Sequence, residues 1–350
     1  METMEPANAT TPAIGCDNAT RLLAAESMLK RLTALAREVE GVRKAEDIEC
    51  VHRMRVASRR VRTALELFGD CFPQRRVKSW SRSIRRITRC LGVARDTDVQ
   101  IEFVADFLRR LAEPKARPGL ARLLLRLRQE RRRFQADVGK ALDRLEASGV
   151  IEEMTEYLLQ VRVHGRLGMR RAKGPTLPLL RRAYLAISLR LEGLLTYEPF
   201  VDQPQAQAEH HAMRIAAKHL RYAMEIFQAV QEEALAGPVK LAREFQTLLG
   251  DIHDCDVWAE QLPAFLEQER RRAVEFLGSA RGVRRLQAGV NLLLEDRKRQ
   301  RDKLFGRFQD LWKQAQADNV WRGLVEALAR PLEPEPPAAE PAAAQAEVVE

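Results

Sequence analysis

Strand-like alternation is nearly missing from this 350-residue chain. Glycine and β-branched residues are modest while Leu, Ala, Arg and Glu dominate, which argues against a β-rich fold and for an all-α one. Aromatic residues are scarce too, at 6%. The basic stretches hold few of them, so stacking platforms for single-stranded nucleic acid have little to be built from. Five cysteines (Cys16, Cys50, Cys71, Cys90, Cys255) are scattered, odd in number and without a C-x-x-C pair. That pattern argues against a disulfide framework or a zinc site and for a reducing compartment. No basic segment followed by an apolar core opens the chain, and no run of about 18 apolar residues occurs, so neither a secretory signal nor a membrane span is expected. A cytoplasmic protein is the expectation. Phosphate-binding G-x-x-x-x-G-K-[ST] loops, G-x-S-x-G elbows and dinucleotide fingerprints are also missing.

Charge is plentiful and unevenly placed. The net charge is +10, yet residues 1–18 and 331–350 hold eight acids and no Lys or Arg. With those eight removed from the 49 acids, 59 basic residues face 41, a body of +18. Such a body binds polyanions or acidic surfaces, with an affinity that falls with salt.

One stretch organises the rest. His52–Phe68 returns 159 positions later as His211–Phe227, with eight of 17 positions identical. Internal similarity of this length marks a duplicated unit. On a helix, His52, Arg55, Arg59 and Arg62 share a sector of about 80°, with Met54, Ala57, Val61, Leu65 and Phe68 roughly opposite. The second copy sets His211, Arg214, Lys218 and Arg221 against Met213, Ala216, Leu220, Met224 and Phe227. A solvated basic face explains either copy alone. Two copies holding cations at the same four positions call for more, because like charges one turn apart cost a few tenths of a kcal/mol per pair. An anion would offset that cost.

Taken in order, residues 1–18 read as a mobile arm and 20–42 as a first helix. Asp47 caps the helix carrying His52, which ends near Gly69 and Pro73. A second cation row follows at Lys78, Arg82, Arg85 and Arg89. A short turn is expected after Leu91-Gly92, with Asp96 and Asp98 capping a further helix and pairing with arginines of the rows. A basic helix over 120–147 and a helical piece near 151–162 come next. Gly165–Pro178 is the candidate linker between repeat 1 (about 19–164) and repeat 2 (about 179–330). Repeat 2 begins with a helix over 179–197 and a loop over Glu198–Gln207. At an offset of 158, Leu249-Gly250…Asp254-Cys255-Asp256-Val257 answers Leu91-Gly92…Asp96-Thr97-Asp98-Val99, and Lys240 and Arg243 answer Arg82 and Arg85. Helices over 255–277, 280–315 and 317–329 complete the unit. The Pro/Ala/Glu segment 331–350 reads as a disordered tail.

The duplicated H-x-M-R-[VI]-A-x-[RK]-x-x-R helix, each copy followed by L-G-x-x-x-D-x-D-V, resembles the CHAD domain, named for its histidines in an α-helical domain. The resemblance covers about 19–330. It implies two pseudo-symmetric antiparallel helical bundles around a basic central groove or pore. It also implies non-enzymatic binding of inorganic polyphosphate, and association with polyphosphate granules in bacteria. Carried over by position, the anion-binding set is His52, Arg55, Arg59, Arg62, Arg82, Arg85 and Arg89 in the first repeat. In the second it is His211, Arg214, Lys218, Arg221, Lys240 and Arg243. Thr247 stands where the first copy has Arg89, which leaves the second wall less basic. The triphosphate-tunnel domain that often precedes CHAD domains has no room in this chain.

The histidines are read either as phosphate donors when protonated or as packing residues that orient the first arginine. No catalytic residue, metal or cofactor is called for. His253-Asp254 has the look of a metal pair, but its counterpart Arg95-Asp96 begins with a residue that ligates no metal. His164, His210 and His219 read as surface or packing residues, and the four tryptophans as core. Two rival readings share the basic body: a helical nucleic-acid-binding protein, and a phosphohydrolase acting on tripolyphosphate or nucleotides.

Overall fold

The computed structural model describes residues 15–168 and 174–333, and among these there is no strand. Helix α1 (Asn18–Arg37) opens where Asp17, in extended backbone, accepts from the Thr20 amide at 2.9 Å. The short α2 (Val39–Lys44) ends on Ala45 in the left-handed region. Helix α3 (Ile48–Phe68) carries the first repeat and is capped as its sequence predicts, Asp47 accepting from the Glu49 amide at 2.8 Å. Helices α4 (Gln74–Arg110), α5 (Arg117–Ala147) and α6 (Val150–Gly168) follow. Beyond them run α7 (Leu177–Leu195), α8 (Gln207–Phe227), α9 (Glu232–Leu277), α10 (Arg284–Ala317) and α11 (Val320–Ala329).

Two sequence expectations fail here. No turn follows Leu91-Gly92, because α4 runs unbroken through it, and α9 likewise runs through Gly250. A mid-helix glycine costs only about 1 kcal/mol, and the buried stripe Ile84, Ile87, Leu91, Ala94 continues across the site. Asp96, Asp98, Asp254 and Asp256 therefore sit within helices and cap none. The candidate linker is also shorter than its composition implies, since α6 persists to Gly168; residues 169–173 lie outside the described part.

Of the amino-terminal arm, 1–14 lies outside the described residues, while 15–18 is anchored. Cys16 forms a disulfide with Cys71, Cα to Cα 5.4 Å, and Asp17 accepts from the Thr176 hydroxyl at 2.5 Å. The disulfide overturns the reading of five unpaired thiols. It joins two helix ends 55 residues apart, which no spacing in sequence reveals. Cys50, Cys90 and Cys255 remain free. Thiol titration of denatured protein should count three thiols before reduction and five after. By loop entropy, closing 55 residues is worth about 4 kcal/mol, so reduction should lower the melting temperature; equal thiol counts with and without reductant would remove the bond. The tail beyond residue 333 lies outside the described residues.

Buried side chains form two clusters. The larger gathers α1, α3, α6, α7, α8 and α11 with parts of the long helices, and it takes in Trp80, Trp312 and Trp321. The last identical residues of the two repeats meet inside it, the Phe68 and Phe227 rings 5.7 Å apart. The smaller cluster packs Val104 of α4 and Leu120 of α5 against Trp258 and Leu262 of α9 and Leu293 of α10. There α5 and α10 touch backbone to backbone at Gly119 and Gly289.

Beside this second cluster Glu269 of α9, 3% exposed, accepts from Arg122 and Arg126 of α5, both at 2.6 Å, and from Arg272 at 2.9 Å. Burial opposes its ionisation, but the three guanidinium hydrogen bonds outweigh burial and hold the carboxyl at about 2 against an ordinary 4.5. A folded pKa below the unfolded one means stability that is complete above pH 4.5 and lost as pH falls toward 2. Glu269→Gln should cost roughly 3 kcal/mol near neutrality. In acid titrations of unfolding, its loss of stability between pH 5 and 3 should be smaller than the wild type's. An unchanged profile would show the cluster to be energetically idle.

Candidate anion-binding site

A cavity of about 620 Å³ lies among α3, α4, α8, α9 and α10. Arg55 and Arg59 of α3 and Arg214 of α8 line it, with Asp96 of α4 and Asp254 of α9. Arg55 and Arg214 hold the same place in the two repeats, as do Asp96 and Asp254. Each arginine rests against the glycine of the neighbouring long helix. Arg55 Nε is 3.7 Å, and Arg214 Cδ 3.9 Å, from where a Cβ on Gly92 or Gly250 would stand. The repeated L-G thus packs beside the arginines within a continuous helix instead of turning the chain.

Electrostatics confirms that the two cation rows see each other. Lys218 is pushed down to about 7, by burial first and then by Arg59, Arg214, Arg55 and Arg62. Burial also lowers Arg59; Tyr222 opposes this, and Arg55, Arg214 and Arg221 add to it. Arg214 is lowered by burial with Asp254 opposing, and its Nε–H is buried without a hydrogen-bond partner in the protein. Arg55 has one long contact, 3.4 Å to Asp96. Asp254 reaches cavity solvent, yet the surrounding protein raises its carboxyl to about 6 against the pull of Arg214. Charges of one sign are thus held together by the fold and are only partly neutralised.

The second acid of each D-x-D motif has a different task. Asp98 accepts from Arg131 of α5 at 2.7 Å and Asp256 from Arg301 of α10 at 2.5 Å. The expected partners were the row arginines; the observed ones fasten the long helices to each other. The repeated glutamates exchange between halves. Glu66 accepts from Arg190 of α7 at 2.8 Å and Glu225 from Arg60 of α3 at 3.1 Å. Arg221, buried at 8% exposure, also donates to Glu225, and to Gln246 at 2.9 Å. Its guanidinium lies 4.6 Å from the centre of the Tyr222 ring, which Arg59 and Arg60 approach at 5.8 and 6.0 Å.

Of the residues predicted from sequence, Arg55, Arg59 and Arg214 line the cavity, and Lys218, Arg62 and Arg221 belong to the same field. His211 borders it with its Nδ1 3.2 Å from His253 Nδ1. Burial and then Arg214 and Lys218 lower its pKa, and burial and then His211 bring His253 down to about 4, so the His253 ring is neutral near pH 7. His52, lowered by burial and Arg95, lines a neighbouring cavity. Arg82, Arg85, Arg89 and Lys240 are exposed on α4 and α9 and do not line the central cavity. Arg243 lines the neighbouring one and lies 3.5 Å from Glu225. Arg297 of α10 was not assigned a site from sequence, yet it reaches the cavity wall with its guanidinium 4.4 Å from the Phe103 ring centre. Only its place in a basic run hinted at it. His210 is a core residue, its Nε2 3.0 Å from the Phe200 carbonyl. Among the described residues no three or more His, Cys, Asp or Glu gather as metal ligands.

An all-α protein whose repeated basic helices border one cavity is the class these features define. The particular family follows from comparison: the CHAD domain profile matches residues 26–263, and the chain belongs to that family. The crystal structure of the CHAD domain from the plant Ricinus communis superposes with a TM-score of 0.56 at 23% identity. It covers 83% of this chain and 97% of that one. No curated protein matches the chain.

Proposed function

We propose that this protein binds inorganic polyphosphate in the central cavity without turning it over, and that it associates with polyphosphate granules. The observation that supports the reading is that Arg55 and Arg59 of one repeat and Arg214 of the other line one cavity, with Lys218 lying within reach of their charges. A phosphate chain is a flexible line of charge offering acceptor oxygens alone. Arginine meets it with planar, often bidentate contacts, and helices hold those donors in place before the ligand arrives. In support, no helix among the described residues is long and apolar enough to cross a membrane.

Titration with long-chain polyphosphate, heparin, duplex DNA and single-stranded DNA at matched charge and fixed salt tests the proposal. Polyphosphate should bind most tightly. Equal affinities would reduce the protein to a general polyanion binder, and preference for single-stranded DNA would favour a nucleic-acid role. Mg²⁺-dependent phosphate release that Asp254→Ala abolishes would make it a phosphohydrolase.

Protonation gives a second handle. In the free protein Lys218 is mostly uncharged at pH 8.5, since its pKa is about 7. A bound polyanion favours the charged form, so binding at pH 8.5 should take up close to one proton. Calorimetry in buffers of different ionisation heat measures this. Lys218→Arg should bind with the uptake abolished; uptake persisting in that variant would assign the proton elsewhere.

A further inference from the structure

A second cavity, of about 740 Å³, lies between α1, α3 and the carboxyl end of α8 and shares no lining residue with the central one. Lys30, Arg31 and Arg37 of α1, Arg53 and Arg60 of α3 and Arg243 of α9 bring six cations to its walls. Three carboxylates also enter, and each has a partner. Glu38 accepts from Arg53 at 2.9 Å, Glu26 from Arg166 at 2.7 Å, and Glu225 from Arg60 at 3.1 Å and from Arg221. Among the described residues no carboxylate lies within ion-pair distance of Lys30, Arg31 or Arg37. The Nε–H groups of Arg31 and Arg60 are both buried and lack any hydrogen-bond partner in the protein. One Arg31 Nη group donates to the Ser27 carbonyl at 2.7 Å and hydroxyl at 2.6 Å, which fixes the side chain against its own helix. Burial and then the Arg60 charge bring Arg31 down to about 10, with Glu225 opposing them.

The duplication supplies an internal control. Arg190 stands 159 positions after Arg31 and is satisfied by Glu66 at 2.8 Å. Glu225, the counterpart of Glu66, is instead taken by Arg60, Arg221 and Arg243. His219 occupies the place of Arg60 in the second repeat. The first half therefore has an arginine, Arg60, where its copy has a histidine, and Arg31 lacks the carboxylate ion pair that Arg190 has. A half-buried cation that keeps a buried Nε–H without an acceptor is costly unless an anion arrives.

We propose that this cavity is a second anion site, which takes the phosphate of a small phosphorylated molecule on Arg31 and Arg60, with Lys30 and Arg37 at its mouth. The neutral body of the ligand packs on Leu23, Val56 and Ile226, which share the walls. The volume falls in the range of small-molecule sites. Glu225 lines the second cavity and is bonded both to Arg221 of the second cation row and to Arg60. A polyphosphate chain passing from one cavity to the other would meet its charge, so a discrete ligand fits the second cavity better than a continuing polymer.

The test is calorimetric titration of phenyl phosphate, ATP and long-chain polyphosphate into three proteins: wild type, Arg55→Ala/Arg214→Ala, and Lys30→Gln/Arg31→Gln. The small phosphates should bind wild type and Arg55→Ala/Arg214→Ala equally, and Lys30→Gln/Arg31→Gln at least tenfold more weakly. Polyphosphate should show the opposite ranking; its failure to bind would sink the central site and leave this one standing. Should Lys30→Gln/Arg31→Gln melt below the assay temperature, Lys30→Glu/Arg37→Glu, at two exposed positions, must give the same loss. Small phosphates that fail to bind Arg55→Ala/Arg214→Ala, or that bind all three proteins equally, overturn the second site.

Discussion

Replacing Arg55 and Arg214 together by alanine should weaken polyphosphate binding by a factor of 100 or more. Each guanidinium faces the cavity with little else to do. Arg55 has its one 3.4 Å contact to Asp96, and Arg214 keeps a buried Nε–H without a partner in the protein. A hydrogen-bonded contact to a charged group is worth about 1.5–3 kcal/mol, so two such losses give about 3–6 kcal/mol, and each 1.4 kcal/mol is tenfold in affinity. The fold should survive, because truncation removes mutually repelling cations; the melting temperature should hold or rise. Arg132→Ala/Arg133→Ala is the matched control, since both residues are exposed on α5 and the same two charges are removed. Arg131 does not serve, being tied to Asp98. Equal losses from the two double variants would mean that the body's general charge, and not the cavity, does the binding.

A large loss of stability should come from adding one methyl group. A Cβ at Gly289 would overlap the Ala116 carbonyl, and one at Gly119 would overlap the Leu286 carbonyl. Both obstacles are backbone, so no rotamer change relieves them. The helices α5 and α10 must separate, which also loosens the Leu120–Leu293 cluster and the Glu269 triad of arginines. Overpacking costs typically about 1–3 kcal/mol and more where the backbone must shift. Gly289→Ala should therefore lower stability by about 3 kcal/mol or more in urea unfolding. Gly139→Ala and Gly306→Ala, in the same two helices but with nothing within 4 Å of the new Cβ, should be neutral or up to about 1 kcal/mol stabilising. A Gly289→Ala protein as stable as these would show that α5 and α10 are not in contact there.

The class of fold, the repeated stretch and its two cation rows were legible in the chain. Helical period and repeat register are local properties, written in residues three and four apart, and they survive in any environment. His52–Phe68 and His211–Phe227 needed nothing else to be recognised as matched amphipathic helices. What tertiary structure decided was the partnership of groups distant along the chain. Cys16 meets Cys71, Asp98 and Asp256 meet Arg131 and Arg301, and Glu66 and Glu225 exchange arginines between the halves. It also separated the predicted basic residues into those that line the cavity and those, such as Arg82, Arg85, Arg89 and Lys240, that remain in solvent. Local turns and charge cannot encode that division. Whether a cation is solvated or confined depends on which helix packs opposite it, and burial first, with the neighbouring arginines, brings Lys218 down to about 7.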